Sequence, residues 1–256
     1  MPEPRYDSIA DVYDETRRPL DPQTLEGMKR SLASKGCRTV LEVGVGTGRV
    51  SVPLIREGFA MTGIDISARM MERARSKGHQ RLIRGDGVKT PFRDASFDAV
   101  VLAHVIHLVE DPCRLVAEGR RVARVGVFAL MRKRAGSGSG WLLGSGGGGE
   151  EMRDAVRRIA AKYGWEWDRT RGRGWPGGRE EEMLKTCPPD GLDEISDVLI
   201  TETIEDRVAW FQKGAFGFSA SMPPEMREEV AAELRRRSPP RRERREVYRL
   251  AFWGSK

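Results

Sequence analysis

The sequence predicts an α/β fold in which helices cover both faces of a mostly parallel sheet. Three observations support this prediction. Short apolar segments alternate with amphipathic segments between residues 39 and 130. A glycine-rich turn at residues 44–48 follows the first apolar segment, and Asp65 ends the second. In an open α/β sheet, a turn and a carboxylate in these positions lie together at the carboxyl edge, where nucleoside ligands bind.

The elements follow in order from the N-terminus. Residues 6–18 are predicted to be helical because apolar residues recur there with helical spacing, at Tyr6, Ile9, Ala10 and Tyr13. The predicted strands are 39–43, 61–64, 81–84, 97–103 and 125–130. The predicted helices are 48–57, 68–77 and 112–122, and Ser67 and Asp111 are the expected N-caps of the last two.

The second half of the chain departs from this alternation. Residues 136–149 consist mainly of Gly and Ser, which indicates either a passive linker or a mobile loop over a pocket. A helix at 150–163 and a sixth strand at 165–170 are predicted next. Residues 172–245 are rich in Gly, Pro and charge and are interpreted as an insertion that contains helices at 203–213 and 223–237. An alternating segment at 246–253 predicts the final strand.

Bulk composition limits the class of protein. The chain has 256 residues, of which 39% are hydrophobic, and this suits a single domain over residues 1–256. The net charge of +7 indicates either acidic partners such as nucleic acid or simply an arginine-rich composition. The three cysteines are far apart in sequence, so neither a disulfide framework nor a metal site is expected, and a reducing cytoplasm fits. No apolar run is long enough to span a membrane, and we expect no membrane association.

The glycine turn has a spacing that favours one class of nucleoside. A dinucleotide fingerprint would place its third glycine at position 49, which is Arg49, whereas here the glycines are Gly44, Gly46 and Gly48. With Glu42 in the preceding strand, this turn suits a ligand that has a ribose but no pyrophosphate, and S-adenosylmethionine (SAM) is such a ligand. The free N–H groups of the following helix can bind the carboxylate of its amino-acid part.

Two aspartates extend the predicted cofactor site. Asp65 has two acceptor oxygens that match the two ribose hydroxyls, although an Asp followed by Ile-Ser can also cap a helix. Asp86 follows the third strand and can accept a hydrogen bond from the adenine amine. Its flanking glycines equally fit a simple turn.

Two histidines are candidates for a general base. His104 ends the fourth strand, and His107 lies three residues further on. Neutral imidazole accepts a proton near neutral pH. A strand-end histidine without a catalytic part is the alternative, and it is the more common case. His79 lies in a polar segment and is assigned to a surface turn.

Over residues 6–131 the chain resembles the UbiE-like group of class I SAM-dependent small-molecule methyltransferases. The resemblance rests on LEVGVGTG at 41–48, GIDIS at 63–67, Gly85-Asp86 with Pro91-Phe92, SFDAVV at 96–101, and an N-terminal Y-D-x-x-A-x-x-Y-D segment. It implies a Rossmann-like seven-stranded sheet with an antiparallel last strand and a lid helix within residues 1–20. The residues that it implies around SAM are Glu42, Gly44, Gly46, Gly48, Asp65, Ile66, Met70, Asp86, Gly87 and His104, with Tyr13 and Arg17 closing over them.

The expected activity is methyl transfer from SAM to a small-molecule acceptor by direct displacement. Two alternatives remain. The basic run at 235–245 is typical of RNA binding, and so favours an RNA methyltransferase, or else it is a solvated connector. The protein could also bind SAM without catalysis, as a sensor or scaffold. The residues identify neither the acceptor nor the oligomeric state.

Overall fold

The computed structural model describes residues 6–133, 156–166, 179–214, 219 and 221–255. Its centre is one seven-stranded sheet in the order β3-β2-β1-β4-β5-β7-β6. The strands are β1 (Thr39–Val43), β2 (Ala60–Asp65), β3 (Leu82–Arg84), β4 (Phe97–Ala103), β5 (Ala123–Lys133), β6 (Gly191–Thr203) and β7 (Arg241–Gly254). Strands β1 to β5 pair in parallel, and β7 runs antiparallel to both β5 and β6.

Nine helices occur within the described residues. They are α1 (Ala10–Tyr13), α2 (Pro22–Ser34), α3 (Ser51–Arg56), α4 (Ala68–Ser76), α5 (Pro112–Val122), α6 (156–162), α7 (Arg179–Thr186), α8 (Ile204–Gln212) and α9 (Pro224–Arg237). Ser67 and Asp111 cap α4 and α5, as the sequence predicts, by accepting hydrogen bonds from backbone N–H groups of the first turn. None of these helices combines the length and the apolar character needed to cross a membrane.

The predicted sheet is confirmed in its parallel half. Its central strand, β1, is apolar and buried on both faces, since Val40 and Leu41 point to opposite sides and neither is exposed. One apolar core lies between the sheet and α5, and a second lies between the opposite face and helices α2 and α3. The predicted antiparallel last strand is also confirmed, because β7 includes residues 246–253.

The position of the sixth strand was predicted wrongly. It lies at Gly191–Thr203, inside the segment assigned to an insertion, and not at 165–170. Residues 165 and 166 are not in a strand, and residues 167–170 lie outside the described part of the chain. Because β7 also begins at Arg241, both ends of the segment 191–245 belong to the central sheet.

Two further differences concern helices. The N-terminal stretch predicted as one helix is instead α1 flanked by short 3₁₀ turns at Asp7–Ile9 and Asp14–Thr16. Helix α2 was not predicted, although Asp21 accepts a hydrogen bond from the Thr24 N–H at 2.9 Å as its N-cap. Helix α2 packs on β6, where Ile195 lies against Gly27.

Helices α6, α8 and α9 enclose a third apolar cluster, which we call the helical cap. Phe211, Val208 and Leu234 are fully buried in it. The glycine-rich segment 136–149 and the aromatic residues Trp141, Trp175, Phe216 and Phe218 lie outside the described residues.

Candidate active site

The glycine turn connects β1 to α3 at the carboxyl edge of the sheet. Gly44, Gly46 and Gly48 have φ values of +71°, +53° and +75°, a region that favours glycine. A Cβ atom at Gly44 would lie 2.6 Å from Val105, and one at Gly48 would lie 2.8 Å from Val52. At Gly46 the nearest atom would be 3.9 Å away, so Gly46 faces open space. The turn therefore leaves bare backbone accessible to a ligand at Gly46.

Asp65 lies against this turn at the end of β2. One carboxylate oxygen accepts from the Gly46 N–H at 2.8 Å, and the other accepts from the Ser67 N–H at 2.9 Å. Burial raises the pKa of Asp65, and these backbone hydrogen bonds oppose the increase. The next residue, Ile66, is 50% exposed at the same edge. A carboxylate with further lone pairs and an exposed apolar side chain beside it suit a ribose and an adenine ring.

Glu42 does not face the open side of the turn. Its carboxylate accepts hydrogen bonds from both the backbone N–H and the hydroxyl of Ser51, the first residue of α3. Burial raises the pKa of Glu42 to about 8, against the opposing hydrogen bonds from Ser51. In this structure Glu42 therefore fixes the start of α3 beneath the turn.

The N-terminal segment, residues 6–17, lies across the glycine turn and α4. Asp7 contacts the hydroxyl of Ser67. Asp14 accepts from the Thr47 hydroxyl, within the glycine turn, at 2.6 Å. Ile9 and Ala10 pack on Met70, which is therefore buried beneath this segment.

Salt bridges hold the same segment in place. Asp11 pairs with Arg69 at 2.5 Å and with Arg73 at 2.8 Å, and Asp14 pairs with Lys77 at 2.8 Å. The hydrogen bond from Arg73 is the main cause that lowers the pKa of Asp11. The three basic residues are spaced i, i+4 and i+8 along α4 and its end, so they form one face that matches the acidic face of the segment.

Two other residues of this segment were assigned to the site. The Tyr13 ring packs edge-on against Tyr6 at 6.2 Å, and the Arg17 guanidinium lies 5.2 Å from the centre of the Tyr13 ring. Tyr13 and Arg17 therefore contact each other at the end of the segment, next to Asp14, which binds Thr47 of the glycine turn.

Asp86 and Gly87 lie after β3, at the same edge of the sheet. Asp86 is exposed and accepts from the Val88 N–H at 3.0 Å, which is the turn arrangement that the sequence left open. A Cβ atom at Gly87 would lie 2.2 Å from Val43, so glycine is required there for packing against β1.

His104, at the end of β4, has a strained backbone. Its φ is +56°, which is rare for a residue with a side chain and costs about 1–3 kcal/mol. Its Nε2 atom is buried and has no hydrogen-bond partner among the described residues. Burial, followed by the nearby charges of Arg49, His107 and Arg132, lowers the pKa of His104 well below its usual value. Strain and an unpartnered buried nitrogen mark this position as a candidate functional site.

A polar cluster beside His104 was missed in the sequence. The Tyr248 ring lies edge-on to the His104 ring at 6.2 Å. Glu246 accepts from the Tyr248 hydroxyl at 3.1 Å and from Arg132 at 2.6 Å. Arg132 and Tyr248 are register partners on β5 and β7. Their proximity depends on the antiparallel pairing of strands more than a hundred residues apart, which periodicity does not reveal.

His79 contradicts its assignment to the surface. The side chain is fully buried between α4 and β3, and neither ring nitrogen has a hydrogen-bond partner among the described residues. Burial lowers the pKa of His79. His79 lies before the amino end of β3, and the candidate site lies at the carboxyl ends of the strands. We therefore assign His79 no part in the site.

Comparison with known proteins agrees with this geometry. Residues 41–131 match the family model described as a methyltransferase domain. A phosphatidylethanolamine N-methyltransferase from Cereibacter sphaeroides is 43% identical over 136 residues, which are 50% of this chain and 63% of that protein. A demethylmenaquinone methyltransferase from Tropheryma whipplei is 32% identical over 131 residues, which are 47% of this chain and 54% of that protein. The chain thus spans less than two thirds of the length of these relatives.

Solved structures show the same fold over almost the whole chain. A SAM-dependent methyltransferase from Thermotoga maritima superposes with a TM-score of 0.51 at 18% identity, covering 98% of this chain and 99% of that one. At this level of identity the likeness concerns the fold, which is the Rossmann-like fold of that methyltransferase. Residues 41–131 match a methyltransferase domain, and these matches indicate S-adenosylmethionine as the cofactor. The open face at Gly46, the Asp65 carboxylate and the exposed Ile66 fit this cofactor.

Proposed function

We propose that the protein transfers the methyl group of SAM to a small-molecule acceptor by direct displacement. The observation that carries the proposal is the pairing of an open glycine turn with a carboxylate at the tip of the neighbouring strand. The names of the two relatives above refer to small-molecule acceptors, which supports the same class here. The sequence motifs favour the UbiE-like group within this class.

The chain's own residues have three tasks in this reaction. Asp65 and the glycine turn bind the nucleoside, with Ile66 and Asp86 beside the adenine. The N-terminal segment, with Tyr13 and Arg17 at its end, excludes water from the reacting atoms. Bound SAM supplies an activated methyl group on a sulfonium, so alignment of the acceptor is the main requirement, and alignment contributes roughly 7–11 kcal/mol in such reactions.

His104 is suited to position the acceptor. Because its pKa is depressed, the imidazole is neutral and a weak base near neutral pH. A neutral Nε2 without a partner can exchange one hydrogen bond with the hydroxyl or amine of an acceptor. His107 lies one 3₁₀ turn further along the chain and is the second candidate for this role.

We place the acceptor pocket between the N-terminal segment and the helical cap. Lys213, at the end of α8, contacts Glu15, which connects the cap to the N-terminal segment. In this proposal residues 1–256 act as one domain. The three cysteines are free, and we propose a cytoplasmic location on that basis.

The RNA-methyltransferase alternative receives less support. In the basic run at 235–245, Arg235 binds Glu205 through three hydrogen bonds, and Arg236 and Arg237 both pair with Glu233. Arg245 pairs with Asp197 on the adjacent strand. Three carboxylates of the protein thus face these four arginines, which favours the connector interpretation over phosphate binding.

Calorimetry with SAM and S-adenosylhomocysteine, followed by an acceptor screen with methyl-labelled SAM, tests the proposal. We expect binding of both nucleosides and label transfer to a small molecule. Absence of SAM binding contradicts the proposal. Transfer of label only to RNA, with affinity that falls steeply as salt is added, supports the alternative. Tight SAM binding without any transfer supports a sensor or scaffold.

A further inference from the structure

The side chains around His104 carry an excess of positive charge. Arg49 follows the glycine turn, Arg132 ends β5, and Arg17 ends the N-terminal segment, and all three are close enough to act electrostatically on the His104 imidazole. The carboxylate in direct contact with this cluster is Glu246, which is shared between Arg132 and Tyr248. Because Glu246 is paired with Arg132, it leaves the charge of Arg49 without a carboxylate partner among the described residues.

Arg49 is the arginine of this cluster that lacks a polar partner among the described residues. Its Nε atom is buried and has no hydrogen-bond partner, and Arg49 forms no salt bridge within the described residues. A buried guanidinium donor without an acceptor is costly, because desolvation is not offset. Within the described residues His104 Nε2 is likewise buried and without a hydrogen-bond partner, and Arg49 acts electrostatically on this imidazole. Two unsatisfied polar groups beside the cofactor turn indicate a polar ligand between them.

We propose that the methyl acceptor carries an oxyanion, either a carboxylate or a phosphate, that is bound by Arg49 beside His104. The planar guanidinium offers paired donors that match two oxygens of such a group. Arg132 is held by Glu246 and contributes long-range attraction. His104 then lies next to the anchored acceptor, where its Nε2 can bind the hydroxyl or amine that receives the methyl group. This inference rests on the proposed function, since it concerns the acceptor of that reaction.

Calorimetry on the full-length protein saturated with S-adenosylhomocysteine tests the inference. The probes are benzoate and inorganic phosphate, and benzamide is the neutral analogue of benzoate. We expect at least one anion to bind at least tenfold more tightly than benzamide. Comparison of benzoate with phosphate distinguishes the two kinds of oxyanion.

Three variants locate the binding to Arg49. Arg49→Gln should weaken anion binding at least tenfold, and Arg49→Lys should retain more affinity than Arg49→Gln because the charge remains. Arg56→Gln, at the exposed far end of α3, is the matched control and should bind as the parent does. Affinity of each variant for S-adenosylhomocysteine, together with its thermal unfolding, shows that the fold is intact.

The outcomes separate this inference from the proposed function. If the parent protein fails to bind S-adenosylhomocysteine, the proposed function fails and the inference fails with it. If it binds, but neither anion exceeds benzamide, the acceptor is not anionic and only the inference is overturned. Anion binding that is equal in the parent and in Arg49→Gln also overturns it.

Discussion

The carboxylate of Asp65 accepts a hydrogen bond from the backbone N–H of Gly46 at 2.8 Å. This bond joins the end of β2 to the centre of the glycine turn, so the two parts of the proposed cofactor site are held together within the protein itself. A second bond, from the Ser67 N–H, fixes the other oxygen. The carboxylate is therefore oriented before the cofactor binds, which reduces the entropy lost on binding.

Replacement of Asp65 tests the ribose interaction. Asp65→Ala should abolish SAM binding, because two charge-assisted hydrogen bonds to the ribose are lost and each contributes about 1.5–3 kcal/mol. Asp86→Ala should have a smaller effect, since Asp86 is exposed and forms a local turn. Calorimetry measures both affinities. An Asp65→Ala protein with affinity within about threefold of the parent would place the cofactor elsewhere.

A side chain at Gly46 should block the site. Gly46→Val places a branched side chain in the open space above the turn and also strains a backbone with φ of +53°, at a cost of about 1–3 kcal/mol. Gly36→Val separates the two effects, because Gly36 has φ of +70° and open surroundings after α2, away from the site. Both variants should lose stability in urea titrations, and only Gly46→Val should lose SAM binding. Equal SAM affinities would contradict the position of the pocket.

The parts of this site that the sequence predicts are those built from contiguous residues. The glycine turn and Asp65 follow from motif spacing, since strand, turn and strand are adjacent along the chain. The position of β6 did not follow, because its polar residues alternate irregularly and its pairing with β7 is long-range. The cluster of Arg132, Glu246 and Tyr248 requires the same pairing. The sequence places Glu42 beside the cofactor. Its contact with Ser51 depends on the local path of the turn into α3, which motif spacing does not reveal.

Glu42 should make stability depend on pH. The pKa is about 8 in the folded protein and near 4.5 when unfolded, so the unfolded state loses the proton first as pH rises. The protonated Glu42 side chain therefore contributes its full stabilisation of the folded state below pH 4.5, and this contribution is lost as pH rises through about 8. Glu42→Gln cannot ionise, so its stability relative to the parent should increase over this range, by on the order of 4 kcal/mol at pH 8. Urea unfolding of both proteins at pH 5 and pH 8 measures the difference, and a difference independent of pH would contradict the raised pKa.

Backbone strain at His104 predicts that a glycine variant is more stable than an alanine variant at this position, the reverse of the usual order. Both His104→Ala and His104→Gly remove the imidazole, but only glycine relieves the φ of +56°. His104→Gly should thus be more stable than His104→Ala by about 1 kcal/mol. At the neighbouring Ala103, which lies in regular β4, Ala103→Gly should instead destabilise. Urea titrations compare the pairs, and a less stable His104→Gly would show that the backbone is not strained.

The salt bridges of the N-terminal segment should control cofactor release. Asp11 pairs with Arg69 and Arg73 on α4, and exposed pairs of this kind contribute about 0.2–1 kcal/mol each. Asp11→Asn weakens both pairs, so SAM should dissociate roughly 2–20-fold faster if the segment covers it. Added salt should speed release from the parent and have less effect on the variant, because the pairs are screened. Glu57→Gln, which removes another surface pair, with Lys29 at the opposite edge of the sheet, should leave release unchanged. Stopped-flow displacement of SAM by excess S-adenosylhomocysteine measures these rates, and equal rates in the parent and in Asp11→Asn would mean that the segment does not close over the cofactor.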